Sequence, residues 1–249
     1  MKNKVVALFM LAAFIFTIMV VAVPQPVMAK KSAQQVYTTL ESQQTRLANY
    51  LQKNYGKANM RTLISDFYAK ESPLTAEDIS QLDTVRIKPV EIKRVALNKN
   101  TDLVFLSNGC FAIEGVEKGT PLPLTTGTTK SDIIAYSNGE YTVWGQAYRD
   151  YYAWTGLWIF SVVVGGTFWY DYTSSGYYGN LLAWYKRGYV SAWRVEAWDK
   201  GTTSSYAYCQ GNFYLGFSSY GVLTFQEYVI RHQVSCDKYG NIYRKYSMN

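Results

Sequence analysis

Two segments near the start of the chain place apolar residues at the spacing of an amphipathic helix. Ser32 and Gln35 match the pattern of a helix-capping box, and Gly56 is suited to ending the first helix. The apolar residues that recur every three or four positions are Val36, Leu40, Leu47, Leu51, Met60, Leu63, Ile64 and Phe67. This spacing predicts a helical hairpin over residues 30–72. We expect its apolar stripes to pack on the rest of the protein, with a cleavable pro-segment or a partner-docking hairpin as alternatives.

The period of the apolar residues changes to two near Val85, which predicts short strands within residues 73–132. Asn108 and Gly109 separate two apolar runs there, and an Asn-Gly pair in that position is the strongest short signal for a β-hairpin. Residues 115–132 are rich in Gly, Pro and Thr. We therefore predict that residues 73–132 end in a linker and that a domain boundary precedes a third segment, 133–249.

Residues 133–249 alternate apolar and polar positions almost throughout, in runs separated by Gly and Ser turns. Two runs predict inward-facing sets: Ala207, Cys209, Phe213, Leu215 and Phe217 in one, and Tyr228, Ile230, His232, Val234 and Cys236 in the other. Leu223 and Phe225 are out of phase with the second set, so a bulge or a strand break is predicted near Gln226 and Glu227. The predicted fold class is α+β and mostly β: a helical hairpin followed by an antiparallel β-sandwich or a partly closed barrel.

The first 29 residues have the organisation of a signal peptide. Lys2 and Lys4 precede an apolar run, and Val27-Met28-Ala29 presents small residues at the positions that signal peptidase requires. The prediction is a secreted protein. As a helix the run from Val5 to Val23 is about 28 Å long, close to the thickness of a membrane core. An N-terminal membrane anchor, with the rest of the chain outside the cytoplasm, is therefore the alternative.

Composition narrows the function classes. Nineteen of the 23 tyrosines and all seven tryptophans lie between Tyr136 and Asn249, where each ring can pack its apolar body and leave its polar group in water. The net charge of +7 is spread along the chain, whereas a nucleic-acid-binding protein concentrates its basic residues on one face. A single histidine, His232, excludes a metal site built from several histidines. We predict no nucleic-acid partner, no metal and no cofactor.

Three cysteines leave two readings open. Cys209 and Cys236 share the inward parity of two strands that could be neighbours, so they could form a disulfide that stabilises the fold by about 3–4 kcal/mol. The alternative is two buried free thiols. Cys110 lies beside the predicted hairpin turn and would be the unpaired cysteine. The residues around these cysteines do not resemble a nucleophile motif, so a Cys-His catalytic pair with His232 is not favoured.

The aromatic segment carries a resemblance to a known group of proteins. It contains G-G-T-F-W-Y-D-Y at 165–172 and closes on C-D-K-Y-G-N at 236–241. These strings resemble small secreted β-rich proteins of Gram-positive bacteria of unknown function, which have a G-x-F-x-Y strand and a C-terminal C-D-K-x-G-N turn. The resemblance covers about residues 152–243. It implies a β-sandwich and export, and it brings no catalytic residues.

The candidate ligand-binding residues are Trp184, Trp193, Trp198 and Arg194. The three tryptophans alternate with charged or small residues, so some of their rings are expected to face solvent. Exposed rings beside hydrogen-bonding groups suit a glycan- or peptide-binding face. The competing interpretation is that these rings only pair with residues of neighbouring strands.

Two further patterns define alternative functions. Glu196 and Glu227 lie within predicted strands opposite aromatic positions, and two carboxylates beside aromatic rings are the requirement of a glycoside hydrolase. The run from Leu157 to Val164 is wholly apolar except for Ser161, and its length is close to that of a membrane-crossing β-strand. It could instead be a core strand.

We therefore expect a secreted, non-enzymatic protein that binds a cell-envelope or extracellular ligand through an aromatic β face. The expected partner is an envelope glycan or another surface ligand. A membrane-active or antimicrobial protein, with the N-terminal segment masking it and the membrane surface as its partner, is the first alternative. An extracellular glycoside hydrolase is the second.

Overall fold

The structure is a computed structural model that describes residues 31–71, 74–80, 89–123, 140–188, 194–219 and 222–248. Residues 32–249 form one compact unit. The predicted signal peptide, 1–29, lies outside the described residues. Within the described ranges, no helix is both long and apolar enough to cross a membrane.

Three helices precede the strands. They are α1 (Ala33–Asn54), α2 (Met60–Tyr68) and α3 (Ala76–Ser80). The predicted capping box begins α1: the Gln35 backbone N–H donates to Ser32 Oγ at 3.3 Å, and the Ser32 N–H donates to Gln35 Oε1 at 2.8 Å. Helices α1 and α2 contact each other through the rings of Tyr50 and Phe67, whose centroids are 5.6 Å apart.

Seven strands form a large antiparallel sheet. They are β1 (Glu91–Asn98), β2 (Thr101–Leu106), β3 (Phe111–Lys118), β4 (Leu122–Pro123), β5 (Tyr141–Tyr152), β6 (Trp158–Tyr170) and β7 (Ser175–Arg187). The order across the sheet is β1-β2-β3-β5-β6-β7, and the short β4 pairs with β5. The predicted Asn108-Gly109 turn joins β2 to β3, and Gly109 adopts the positive φ of 83° that such a turn needs.

Four strands form a small antiparallel sheet. They are β8 (Arg194–Thr202), β9 (Tyr206–Ser219), β10 (Val222–Cys236) and β11 (Ile242–Met248), in the order β11-β10-β9-β8. A turn with Gly240 at a φ of 80° joins β10 to β11. The prediction of a mostly β, antiparallel protein with a few helices is confirmed. The described strands form two separate sheets, so a partly closed barrel is not what they show.

The two sheets pack face to face and bury an aromatic core between them. The rings of Phe160 on β6 and Phe213 on β9 stack with centroids 4.6 Å apart, and Tyr228 on β10 lies edge-on to Phe160. The predicted inward residues with described side chains are all buried: Ala207, Cys209, Phe213, Tyr228, Ile230, His232, Val234 and Cys236. Strand alternation in this half of the chain therefore predicted the core correctly.

Helices α1 and α2 cover part of the other face of the large sheet. Leu51 and Ile64 of the helices pack with Phe105 and Phe111 of the sheet, and all four side chains are buried. The ring of Phe111 stacks in turn on Tyr152 of β5, with centroids 5.1 Å apart. Burial on both faces explains the apolar run from Trp158 to Val164, which forms the start of β6, a central strand of this sheet. Leu157 precedes the strand and is exposed.

Two expectations about chain organisation differ from the structure. The sheet runs across the predicted boundary in 115–132, because β3 pairs directly with β5, from Phe111 opposite Tyr152 to Lys118 opposite Gly145. The bulge predicted near Gln226 and Glu227 is wrong, because β10 pairs with β9 without interruption from Val222 to Ser235. The first error came from local composition, which does not report long-range strand pairing.

Candidate functional site

The outer face of the small sheet carries the best candidate site. Strand alternation points its tyrosines and amides away from the core, because their neighbours along each strand are the buried residues of the sandwich. We call this surface the tyrosine face and define it by Tyr206, Tyr208, Tyr214, Tyr243, Gln210, Asn212, Arg231 and Gln233. Three adjacent strands, β9, β10 and β11, therefore contribute to one surface of rings and hydrogen-bonding groups.

Strand register fixes which side chains are neighbours on the tyrosine face. Gln233 of β10 lies opposite Tyr208 on one side and Lys245 of β11 on the other. Tyr208 lies opposite Gly201 of β8, and a Cβ added to that glycine would come within 2.7 Å of Tyr208 Oη. The tyrosine ring therefore lies over the glycine, and a glycine at this position leaves room for it.

Arg231 organises the centre of the tyrosine face. Its guanidinium lies 4.6 Å from the centroid of the Tyr208 ring and donates to Gln210 Oε1 at 3.4 Å and Tyr206 Oη at 3.5 Å. Gln210 in turn donates to Asp199 Oδ2 at 3.2 Å. These contacts hold the rings and the amide in fixed positions, which reduces the conformational entropy that a ligand must remove on binding.

The tyrosine face is uncovered within the part of the chain that the structure describes. Helices α1 and α2 pack on the large sheet, on the opposite side of the sandwich. Tyr206, Tyr208 and Tyr214 are half-buried, and Tyr243 is exposed. The face therefore offers flat ring surface beside donors and acceptors to solvent.

The three residues of the predicted set that the structure describes, Trp184, Arg194 and Trp198, do not share one face. Trp184 is 40 % exposed on β7, opposite Val163, on the face of the large sheet that points away from the small sheet. Trp198 points inward, with its ring 4.8 Å from Tyr185 and 6.3 Å from Phe213. Trp193 lies outside the described residues. A single aromatic face containing Trp184 and Trp198 is therefore not formed.

A bulge in β8 explains why alternation misplaced Trp198. Ala197 has a positive φ of 50°, and the register between β8 and β9 shifts between Glu196 and Asp199. Val195 and Trp198, three positions apart, consequently both pack on the core. Among the described members of the predicted set, only Arg194 lies on the tyrosine face, where its guanidinium is 4.9 Å from the Tyr214 ring centroid.

The carboxylates weighed for hydrolysis do not form a described site. Glu196 is exposed and forms an ion pair with Arg194 at 3.0 Å, on an open strand. The side chain of Glu227 lies outside what the structure describes, although its backbone pairs with Tyr214. An exposed, ion-paired carboxylate on an open strand lacks the enclosed surroundings in which a catalytic acid works.

The three cysteines are free and buried. Cys209 lies opposite His232, four positions from Cys236 along β10, so the register separates the Cα atoms of the two cysteines by about 13 Å along the strands. A disulfide needs Cα atoms within about 7 Å, so the predicted Cys209–Cys236 bridge is not formed. Burial raises the pKa of each thiol to about 12, which keeps it protonated and unreactive at neutral pH.

A buried network of ion pairs was missed by sequence reasoning. Glu114 on β3 accepts from Arg149 Nη1 at 2.6 Å, and the two side chains are 2 % and 1 % exposed. Arg94 of β1 and Arg244 of β11 also donate to Glu114. Arg244 reaches Asp102 of β2 as well, so the network connects the two sheets. The sequence did contain one indication of this network: Glu114 shares the strand phase of Ala112 and Val116, whose side chains face inward.

The network holds its central carboxylate in the charged form. Burial raises the pKa of Glu114, but the charges and hydrogen bonds of Arg149, Arg94 and Arg244 outweigh burial, so the pKa lies below its usual value. A carboxylate that stays ionised and accepts from three guanidinium groups cannot donate a proton near neutral pH. The network is therefore structural rather than an acid-base pair.

The chain was compared with protein-family models, with curated proteins and with solved structures, and none of them matches. The resemblance to secreted Gram-positive proteins stays a prediction.

Proposed function

We propose that this protein is a non-enzymatic binding protein that holds a glycan of the cell envelope or extracellular matrix on its tyrosine face. The observation that carries the proposal is the juxtaposition of Tyr208, Gln210 and Arg231 at the centre of an uncovered sheet face. A sugar ring offers an apolar face and a rim of hydroxyls. The tyrosine rings supply matching apolar area, and the amides and phenols supply hydrogen bonds.

The proposal places the protein outside the cytoplasm, with residues 1–29 as its signal peptide. The support is the charge and hydropathy pattern of that segment. The finer architecture we propose is a two-layer β-sandwich with a helical hairpin over residues 30–72 that stays packed on the large sheet. Such a sandwich leaves one sheet face free for a ligand, and the proposed binding mode requires no cofactor.

Glycan capture by matched tyrosine variants tests the proposal. The wild-type protein, Tyr208→Ala and Tyr178→Ala are applied to an array of envelope glycans and to intact cells. Tyr178 is a suitable control because it is 37 % exposed on β7, on the opposite side of the sandwich. We expect wild-type retention, a loss of about tenfold in affinity for Tyr208→Ala, equivalent to about 1.4 kcal/mol, and little change for Tyr178→Ala. Equal losses in both variants, or no retention of the wild type, contradict the proposal.

Membrane activity has weaker support. All of the run that suggested it except Leu157 is accounted for as a buried central strand, from Trp158 to Val164. Release of dye from liposomes by the full chain would restore this alternative, and hydrolysis of an array glycan that depends on Glu196 and Glu227 would restore the hydrolase alternative.

A further inference from the structure

A cleft opens at the edge of the sandwich, where β11 of the small sheet meets β1 and β3 of the large sheet. It has a volume of about 610 Å³ and is lined by charged and polar side chains. The charged ones are Glu91, Arg94, Lys99, Glu114, Arg244 and Lys245, and Asn100 and Asn241 add amides. We call it the edge cleft. Its volume is within the range of small-molecule binding sites in proteins.

The lining of the edge cleft has an excess of positive charge. Four of the six charged side chains are cationic and two are anionic. Both carboxylates already have partners, since Glu91 pairs with Arg94 and Glu114 is held by three arginines. The excess is located at Lys99 and Lys245, which are exposed and form no ion pair with any described residue. The lining therefore includes two lysines that the described carboxylates do not neutralise.

The arginines of the edge cleft are committed to the protein's own carboxylates. Arg94 forms a bidentate pair with Glu91: Nε donates to Oε1 at 2.9 Å, and Nη2 donates to Oε2 at 2.8 Å. Arg244 donates from Nε to Glu114 at 3.2 Å and from Nη2 to Asp102. The planar fork that matches a ligand carboxylate is therefore occupied in both cases.

The donors that remain suit a phosphate group better than a carboxylate. A lysine ammonium is a compact point charge that binds phosphate without needing a planar partner. A phosphate presents oxygens in several directions and can accept from ammonium groups on two walls, here Lys99 of the β1–β2 turn and Lys245 of β11. We propose that the edge cleft binds a phosphate group, either free phosphate or the phosphodiester of an extracellular polymer.

The position of the cleft favours a polymer as the source of that phosphate. Tyr243 and Lys245 line the cleft, and both also project on the outer side of β11, at the border of the tyrosine face. A chain held in the cleft can therefore continue over the sheet. The phosphate site itself does not depend on glycan binding by the tyrosine face.

Calorimetric titration of the full chain tests this site with two phosphate probes, a glycerol-phosphate oligomer and inorganic phosphate. Polygalacturonate is titrated as a carboxylate polymer for comparison. The cleft variant is Lys99→Gln with Lys245→Gln. The matched control is Lys53→Gln with Lys200→Gln, which removes the same charge from exposed positions that do not line the cleft. Tyr208→Ala is titrated in parallel to separate this site from the tyrosine face.

The expected result is binding of the oligomer that weakens by about tenfold or more in the cleft variant and by less than about twofold in the control, with affinity falling as salt screens the lysines. Oligomer binding that survives in Tyr208→Ala supports the cleft even if the glycan proposal fails. Equal affinity for inorganic phosphate also supports the cleft and assigns it to a single phosphate. Equal losses in the cleft and control variants, tighter binding of polygalacturonate than of the oligomer, or no binding of either probe overturns the proposal.

Discussion

Glu114 and Arg149 form an ion pair inside the sandwich, with Arg149 Nη1 2.6 Å from Glu114 Oε2. The two residues lie on neighbouring strands, where Glu114 is directly opposite Arg149 in the β3–β5 register. The guanidinium also stacks on the Tyr246 ring of the other sheet, 3.7 Å from its centroid. One pair of charges therefore contacts both layers of the fold.

Removing the Glu114 charge should destabilise the protein strongly. In Glu114→Gln the guanidinium of Arg149 stays buried without its counterion, which costs about 3–5 kcal/mol. Urea unfolding measures the change, with Glu117→Gln as the control because Glu117 is exposed on the same strand. We expect the control to stay within about 0.5 kcal/mol of the wild type. Similar stability for the two variants would mean that the buried pair does not hold the sheets together.

The buried His232 should make stability fall as the pH is lowered from 7 to 5. Burial lowers its pKa to about 3, and neither ring nitrogen has a hydrogen-bond partner among the described residues. The unfolded chain takes up a proton near pH 6.5 that the folded chain refuses until about pH 3, so stability is lost as the pH falls through this window. The loss attributable to this group between pH 7 and pH 5 is about 2 kcal/mol.

His232→Leu separates this contribution from that of other groups. Unfolding free energies of the wild type and the variant are measured in urea at both pH values. The variant should lose about 2 kcal/mol less than the wild type on acidification. A pH dependence that is unchanged by the substitution would mean that the imidazole is protonated in the folded state.

Glycine substitutions test the packing that supports the tyrosine face. Gly201→Ala places a Cβ within 2.7 Å of Tyr208 Oη and must displace the ring, so glycan affinity should fall by about fivefold or more. Gly179→Ala on β7 is the matched control, because a Cβ there meets nothing within 4 Å. Affinity is compared on the glycan selected from the array. Unchanged binding by Gly201→Ala would remove Tyr208 from the site.

Thiol counting tests the cysteine arrangement. The register that separates Cys209 from Cys236 predicts three free thiols, all unreactive in the folded protein because burial raises their pKa values to about 12. Titration with a thiol reagent should give little reaction under native conditions and three thiols in denaturant. One thiol in unreduced, denatured protein would show that a bridge forms and that the β9–β10 register is different.

The inward-facing residues of β9 and β10 could be predicted from sequence because alternation is a local signal. Ala207, Cys209 and Phe213 share one parity, and burial follows that parity. Trp198 could not be placed in this way, because the bulge at Ala197 changes the phase of β8. The alternation of apolar and polar residues in one sequence does not reveal such a bulge. Alternation was also sufficient to place Tyr206 and Tyr208 on the outer face of the sheet. The prediction of ligand-binding residues nevertheless favoured the larger tryptophans over these tyrosines.

The ion-pair network required knowledge of strand pairing. Glu114 and Arg149 are separated by a segment with the composition of a linker, and only the β3–β5 register makes them neighbours. Arg244 comes from the last strand and meets Asp102 across the two sheets. The beginning of α1, by contrast, could be predicted from Ser32 and Gln35, because a capping box involves residues that are close together in the chain.

The most direct test of the central claim is to map a bound glycan on the protein by amide chemical-shift changes. The glycan retained on the array is titrated into isotope-labelled protein, and shifts are compared between the small and large sheets. The tyrosine-face account predicts the largest changes around Tyr208, Gln210 and Arg231, with β7 unaffected. Changes concentrated around Trp184 and Tyr178 on β7, with the small sheet silent, would contradict it.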